Sequence, residues 1–206
     1  MSAPRPAIAP GTAPDRATVM QWRKAERERL LAERLAMPVT ERRSHAAAIA
    51  RHLDETLGDV AGRTVGVYWP IRAEPNLRDW MERLHARGAR CALPVVVQPR
   101  APLHFHAWQP GAAMTHGFWD IPVPAEGREV EPDIVVAPVV GFDAAGYRLG
   151  YGGGFYDRTL AAMAERGRKP LVVGVGFAAS ALETIHPLPH DIPMDRIVTE
   201  SGCAYP

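Results

Sequence analysis

Residues 148–158 read Arg148-Leu149-Gly150-Tyr151-Gly152-Gly153-Gly154-Phe155-Tyr156-Asp157-Arg158, with four glycines in five consecutive positions. Because glycine has no Cβ and tolerates positive φ, the backbone N–H groups of such a loop can close on an anion. A helical pattern follows over residues 155–166, and the N-terminus of a helix adds partial positive charge. Arg148 and Arg158 add two full charges. The segment therefore predicts a nucleotide-phosphate site at the start of a helix.

Two better-known phosphate motifs do not fit this loop. A P-loop needs Lys-Ser or Lys-Thr after the glycines, and neither dipeptide follows. The dinucleotide fingerprint needs glycine at position 155, which is Phe155, and it should follow a strand directly. A flexible glycine turn without a ligand is the alternative on the glycines alone. The flanking arginine, tyrosine and aspartate residues favour the phosphate site.

Outward from the loop, the chain alternates apolar runs with amphipathic segments. Residues 133–140 and 170–177 are near-continuous apolar runs, typical of parallel strands buried on both faces. Further strands are predicted at residues 64–69, 91–96, 103–108 and 196–199, and helices at 18–36, 46–57 (starting near Thr40), 76–87 and 155–166. This alternation predicts an α/β fold with a mainly parallel sheet flanked by helices. Ligands of such sheets lie beyond the carboxyl ends of the strands.

Length and composition narrow the class of protein. The 206 residues suit one sizeable domain, which we place at residues 18–206 after a Pro/Ala-rich leader, residues 1–17, predicted to be disordered. A net charge of +1 argues against a nucleic-acid partner. No apolar run approaches the roughly 18 residues of a membrane helix, and no signal peptide is evident. Cys91 and Cys203 lie far apart and match no metal spacing, so we interpret them as buried or incidental thiols of a protein in the reducing cytoplasm. We expect a monomer or weak dimer.

A longer motif surrounds the glycine loop. It runs from residues 133–138 through Gly141-Phe142-Asp143 and Gly146 to residues 148–158. This motif resembles the signature of the 5-formyltetrahydrofolate cyclo-ligase (methenyltetrahydrofolate synthetase) family, and the resemblance extends over most of the chain. It implies a fold similar to ribose-phosphate isomerase and CoA-transferase domains. It also implies ATP-dependent conversion of 5-formyltetrahydrofolate to 5,10-methenyltetrahydrofolate, with release of ADP and phosphate.

The first predicted helix carries Arg23 and Arg27, which share a face because they are four residues apart. A solvated helix with intrahelical ion pairs is the alternative, since Glu26 and Glu28 are close by. The resemblance implies that Arg23 and Arg27 contact the phosphates of ATP. The family usually has lysine at the first of these positions, so Lys24 stays open as a substitute for Arg23.

Three residues are assigned to the folate side by the resemblance. Glu74 follows a strand, and its carboxylate suits the donor-rich edge of a pterin. Its position predicts the first turn of the next helix, where helix capping is the alternative. Trp69 precedes it in the same loop. Trp119, within residues 117–124, is expected near the nucleotide or folate, with core packing as the alternative.

The resemblance also implies magnesium and completes the ATP site. An aspartate before the last strand helps to hold Mg²⁺ in the family, and Asp195 matches it best, with Asp191 second. Together with Asp157, Asp195 would supply the sparse carboxylates of a magnesium–triphosphate site. A turn with an Asp cap is the alternative. The remaining ATP-binding residues of the loop are Arg148, Gly150, Tyr151, Gly152, Gly153, Gly154, Phe155 and Tyr156, with Arg148 and Tyr156 assigned as catalytic.

Two other functions stay open on the residues. One is a non-catalytic nucleotide- or folate-binding paralogue, favoured by the family departures at Arg23 and at Val123, where many members carry glutamate. The other is a sugar-phosphate isomerase-like enzyme of the same fold, which would need no ATP. The arginines on both sides of the glycine loop favour the ATP-dependent reaction.

Overall fold

The predicted apolar runs form the centre of a seven-stranded sheet in the computed structural model, which describes residues 14–205. The α-helices in this part of the chain are α1 (Arg16–Ala36), α2 (Val39–Leu57), α3 (Arg78–Ala86) and α4 (Phe155–Glu165). The strands are β1 (Thr64–Gly66), β2 (Arg90–Val95), β3 (His104–Trp108), β4 (Met114–His116), β5 (Pro122–Pro124), β6 (Ile134–Pro138), β7 (Gly141–Asp143), β8 (Arg148–Leu149), β9 (Leu171–Val175), β10 (Ala181–Leu182), β11 (Arg196–Thr199) and β12 (Gly202–Tyr205).

The main sheet has the strand order β12-β11-β9-β6-β1-β2-β3. The strands from β11 to β2 in this order run parallel, and β12 and β3 pair antiparallel at the two edges. This arrangement confirms the predicted α/β fold with a mainly parallel sheet. The likeness to ribose-phosphate isomerase and CoA-transferase domains stays a prediction. A small sheet, β10-β7-β8, and a β4-β5 hairpin accompany it, and their strands are too short to show a periodicity.

Helices cover both faces of the main sheet. Neighbouring side chains of a strand point to opposite faces, and both faces of this sheet carry apolar side chains that must be buried. In β6, Val136 belongs to the cluster formed with α2 and α3, which includes Leu53 and Trp80. Its neighbour Val135 belongs to the cluster on the other face, together with Leu160 of α4. Both valines are fully buried, as a strand covered on both faces requires.

Helix α1 packs on the small sheet through a third cluster, formed by Leu30, Val140, Leu149, Leu182 and Ile185. Gly141 permits this approach, since a Cβ at that position would lie 2.7 Å from Leu30 Cδ1. This packing places α1 beside the segment that follows β8. Within residues 14–205, none of the helices combines the length and the apolarity needed to cross a bilayer.

The predicted boundaries differ from the structure at the N-terminus. Residues 1–13 of the predicted leader lie outside the described residues, but Arg16 and Ala17 already belong to α1. The helix starts there because Asp15 accepts a hydrogen bond from the Thr18 amide at 2.7 Å. The rest of the division into a leader and one domain stays a prediction. Helix α2 begins directly after Pro38, so its start agrees with the one predicted near Thr40, which lies inside the helix.

The core assignment can be tested with two leucines on helices. Leu53 of α2 is 0% exposed, whereas Leu35 of α1 is 57% exposed. Leu53→Ala leaves a cavity, so we expect the free energy of unfolding to fall by about 2–5 kcal/mol. The matched control Leu35→Ala should change it by less than about 0.5 kcal/mol. Urea unfolding followed by circular dichroism measures both, and equal losses would contradict the assignment.

Candidate functional site

A cavity opens where the carboxyl ends of β1, β2 and β6 meet the glycine loop, at the edge expected for a parallel sheet. Of the residues singled out in the sequence as site residues, those that line it are Arg23, Arg27, Trp69, Glu74, Trp119, Arg148, Gly150, Tyr151, Gly152, Gly153, Gly154, Phe155, Tyr156, Asp157 and Asp191. The structure therefore brings together side chains from α1, three loops and α4. Asp195 is not among them.

The glycine loop joins β8 directly to α4. Gly152 and Gly154 have φ values of +91° and +62°, a conformation that residues with a Cβ rarely adopt. Among residues 14–205, no protein acceptor takes a hydrogen bond from the amide groups of residues 150–154. Peptide N–H groups left in this state at a helix N-terminus are suited to binding an anion.

Two of the predicted cations lie against this loop: Arg158, which donates to the carbonyl oxygen of Gly153, and Arg27. Arg27 reaches the loop from α1. Its Nε donates to the carbonyl oxygen of Gly150 at 2.7 Å, and its Nη2 is 3.4 Å from the position that a Cβ on Gly152 would occupy. Burial, and then the charge of Arg23, lower the pKa of the Arg27 guanidinium. No carboxylate in the described part of the chain forms an ion pair with it. A half-buried cation without an ion-pair partner favours the binding of an anion.

Arg23 is held differently, although it lies one turn away on the same helix. It forms an ion pair of 2.5 Å with Asp191 and donates to the carbonyl oxygens of Ile185 and His186 at 3.0 and 2.8 Å. Burial alone would raise the pKa of Asp191, but the hydrogen bonds from Arg23 hold it below its usual range. Through these hydrogen bonds and this ion pair, Arg23 holds residues 185–191 against α1. Lys24, the open substitute, is exposed and does not line the cavity.

Arg148 and Asp157 form an ion pair of 3.0 Å across the glycine loop. The other carboxylate oxygen of Asp157 accepts from the Ile192 amide at 3.1 Å. The Arg148 guanidinium also lies over the ring of Tyr156, 5.4 Å from its centre. These contacts hold one cation and one carboxylate in defined positions beside the loop.

The predicted pairing of Asp195 with Asp157 is wrong. Asp195 precedes β11, and its carboxylate accepts from the amide of Val172 near the start of β9 at 2.7 Å. Since β9 and β11 are parallel, Asp195 lies at the amino-terminal edge of the sheet, opposite the cavity. An aspartate just before a parallel strand belongs at that edge, so its sequence position argued against the assignment.

The carboxylates that line the cavity do not form a preassembled metal site. Glu74, Asp157 and Asp191 accept hydrogen bonds from Tyr151, Arg148 and Arg23, respectively. Within residues 14–205, no group of three or more His, Cys, Asp or Glu side chains could hold a metal ion. The donor set therefore does not fit a resident metal held by the protein alone.

Glu74 lies in the loop before α3 and not in its first turn, because α3 begins only at Arg78. Its carboxylate is buried and accepts from the Ile71 amide and from the Tyr151 hydroxyl, both at 2.8 Å. Burial raises its pKa. The helix-capping alternative is thereby excluded, and the carboxylate faces the cavity between two protein donors.

Arg34 contacts the glycine loop, although the sequence analysis did not include it among the site residues. Its Nη2 donates to the Tyr151 hydroxyl at 2.5 Å. A signal was present, because Arg34 follows Arg27 by seven residues and thus lies two turns further along the same face of α1.

The two tryptophans differ in their surroundings. Trp69 is half-buried, with the Arg78 guanidinium 5.3 Å from its ring centre. Trp119 is 61% exposed, and its ring centre lies 5.9 Å from that of Phe155. It also has a φ of 56°, in the left-handed region that non-glycine residues rarely adopt. Such exposure excludes the core-packing alternative and leaves an aromatic surface beside the glycine loop.

Comparison with known proteins shows the family and the fold of this chain. The model of the 5-formyltetrahydrofolate cyclo-ligase family matches residues 19–200. A 5-formyltetrahydrofolate cyclo-ligase from Mycolicibacterium smegmatis is 33% identical over 181 residues, covering 84% of this chain and 91% of the relative. One from Escherichia coli is 33% identical over 148 residues, covering 69% and 80%.

Two solved structures are similar in fold. An NMR structure of Aquifex aeolicus 5,10-methenyltetrahydrofolate synthetase has a TM-score of 0.74 and 28% identity, covering 88% of this chain and 91% of that one. A 5,10-methenyltetrahydrofolate synthetase from Mycoplasma pneumoniae has a TM-score of 0.70 and 23% identity, covering 86% and 98%. The second supports the fold alone.

The anion site can be tested with inorganic tripolyphosphate as the probe. Arg27→Gln removes a charge-assisted contact of about 1.5–3 kcal/mol, so we expect the dissociation constant to rise about tenfold to a hundredfold. Lys24→Gln removes the same charge from an exposed position of the same helix and should have little effect. Isothermal titration calorimetry measures both constants. Equal weakening by the two variants would show a general charge effect and remove Arg27 from the site.

Proposed function

The chain belongs to the 5-formyltetrahydrofolate cyclo-ligase family, and we propose that its cavity at the carboxyl ends of the strands is where the folate ring is closed. The protein is a ligase that converts 5-formyltetrahydrofolate to 5,10-methenyltetrahydrofolate at the expense of ATP. The observation that carries the site assignment is the pairing of two features in one cavity. The glycine loop has amides without protein acceptors beside Arg27, and Glu74 presents a buried carboxylate across from it.

The chemistry explains why no covalent nucleophile is needed. The formyl group is an amide and a poor electrophile, so ATP first transfers its terminal phosphoryl group to the formyl oxygen and leaves as ADP. N10 of the folate then attacks the formyl carbon, loses its proton, and inorganic phosphate departs with the former formyl oxygen. The protein must align the two ligands and spread the charge of the phosphoryl group.

We assign the phosphate side to the loop and its arginines. The amides of residues 150–154 and the Arg27 guanidinium would receive the triphosphate, with Phe155 and Tyr151 at its sides. Arg148 is oriented by Asp157 and by the Tyr156 ring, so its charge is available next to the transferred phosphoryl group without reorganisation. Arg23 contributes by fastening residues 185–191, because its donors already have acceptors.

We assign the folate side to Glu74, Trp69 and Trp119. An ionised carboxylate offers two acceptor oxygens to the N–H groups of a pterin. Trp119 is exposed beside Phe155 and offers a flat apolar surface for an aromatic part of a ligand. Trp69 lies in the loop between β1 and Glu74, and it lines the same cavity.

Magnesium enters this proposal as part of the nucleotide. Mg²⁺ prefers phosphate oxygens, water and one or two carboxylates, so a preassembled protein site is not required. Asp157 and Asp191 are the cavity carboxylates next to the phosphate side, whereas Asp195 does not line the cavity and accepts from the Val172 amide.

The cellular location and the assembly state stay predictions, namely a cytoplasmic monomer or weak dimer. Size-exclusion chromatography with light scattering tests the assembly state, since the mass of one chain indicates a monomer.

The activity itself has a direct test. Purified protein mixed with 5-formyltetrahydrofolate, ATP and magnesium should produce the absorbance of methenyltetrahydrofolate, and omission of ATP should abolish the gain. Binding of both ligands without any absorbance gain would indicate a non-catalytic protein. A reaction that continues without ATP would indicate an isomerase-like enzyme.

The folate assignment predicts a selective effect of Glu74→Gln. Loss of the anionic acceptor should raise the KM for the folate about tenfold to a hundredfold, because hydrogen bonds to charged groups contribute about 1.5–3 kcal/mol. The KM for ATP should change little. Glu82→Gln is the matched control, since Glu82 is exposed on α3 outside the cavity. Equal changes in both KM values would assign Glu74 a structural role.

A further inference from the structure

Two buried side chains of opposite charge face each other through a single hydroxyl group. Arg34 of α1 is 6% exposed and Glu74 is 5% exposed. The Arg34 guanidinium donates to the Tyr151 hydroxyl at 2.5 Å, and this hydroxyl donates to the Glu74 carboxylate at 2.8 Å. The phenol therefore bridges a cation and an anion that have no direct contact.

The other donors of Arg34 are also engaged. Its Nε donates to the carbonyl oxygen of Arg72 at 3.1 Å, and its Nη1 donates to that of Val139 at 3.4 Å. No carboxylate in residues 14–205 forms an ion pair with Arg34. Burying a charge without a charge of opposite sign nearby costs free energy. The Glu74 carboxylate, on the other side of the Tyr151 hydroxyl, supplies that opposite charge for Arg34.

The charged and titratable groups around Glu74 come from several elements. Burial raises the pKa of Glu74, whereas the Ile71 amide, Arg34, the Tyr151 hydroxyl and Arg72 lower it. Burial, and then the charge of Glu74, raise the pKa of the hydroxyl groups of Tyr68, two residues after β1, and Tyr156, on α4. Both phenols are neutral at physiological pH, so the cations are what oppose the burial of the carboxylate.

We propose that Arg34 is a positioning residue for the reaction, which acts through the Tyr151 hydroxyl to hold the Glu74 carboxylate anionic and oriented toward the cavity. The proposal rests on the folate assignment of Glu74 made above. Arg34 touches neither reacting group itself. Tyr151 is also part of the glycine loop, so its hydrogen bond to Glu74 connects that loop to the carboxylate assigned to folate binding.

The proposal predicts how charge removal affects protonation of Glu74. In Arg34→Gln the carboxylate loses a cation that stabilises its ionised form, so its pKa rises further. The KM for the folate increases when pH falls through this pKa, because a protonated carboxyl group loses an acceptor. In the variant this increase should therefore begin at a higher pH than in the wild type. The KM for ATP should follow the wild-type profile.

The experiment combines two readouts. Carbon-13 NMR titration of labelled glutamate carboxyl groups in the ligand-free protein reports the midpoint of Glu74, and Glu74→Gln assigns its signal. We expect an upward shift in Arg34→Gln and a partial return in Arg34→Lys, which restores the charge. Tyr151→Phe removes only the bridging hydroxyl and should shift the midpoint in the same direction. The pH profile of the folate KM should move in parallel.

Arg29→Gln is the matched control, because Arg29 is a buried arginine of the same helix that pairs with Glu26 and Glu33. It should leave the Glu74 midpoint unchanged. An unchanged midpoint in both Arg34→Gln and Tyr151→Phe overturns the proposal, as does a shift of equal size in Arg29→Gln. If Arg34→Gln does not fold, Tyr151→Phe and Arg34→Lys decide. Failure of Glu74→Gln to raise the folate KM would overturn the folate assignment instead, while the NMR midpoint still measures the effect of Arg34.

Discussion

The hydrogen bond from Arg27 to the carbonyl oxygen of Gly150 joins the N-terminal helix to the glycine loop, and the cavity depends on this junction. Helix α1 makes two similar attachments through arginines on the same side. Arg23 holds residues 185–191, and Arg34 holds Tyr151 and the loop that contains Glu74. One helix thereby supplies a wall of the site and fixes three separate loops. Its apolar side is anchored by Leu30, which packs closely on Gly141.

The distribution of hydrogen-bond partners leaves donors rather than acceptors without a protein partner in the described part of the cavity. Its carboxylates have protein donors, in the pairs Asp191 with Arg23 and Asp157 with Arg148, and Glu74 receives the Tyr151 hydroxyl. Arg27 has only a backbone carbonyl, and the amides of the glycine loop have no protein acceptor within residues 14–205. The unsatisfied capacity is therefore on the donor side, as a triphosphate requires.

Elements whose sequence pattern lies within one short segment were predicted correctly. The apolar runs became β6 and β9, residues 196–199 became β11, and the glycines became a loop ahead of α4. Predicted side-chain positions were wrong where they depend on the direction of a strand or on where a loop ends. Asp195 was matched by its distance from the last strand, but it lies before that strand and hence at the wrong edge. Glu74 was assigned to a helix that begins only four residues later, because the buried turn around it has no periodicity.

Hydrophobic period, glycine content and motif spacing are properties of neighbouring residues, so the sequence alone predicted the fold class, the glycine loop ahead of a helix and the family. Which charged side chains come into contact depends on the tertiary structure. Arg23 and Asp191 are 168 residues apart, Arg34 and Tyr151 are 117 apart, and Tyr151 and Glu74 are 77 apart. Such pairs form because the parallel sheet brings the carboxyl ends of distant strands to one edge and α1 packs across them. No local pattern in the sequence predicts which residues of these pairs come into contact.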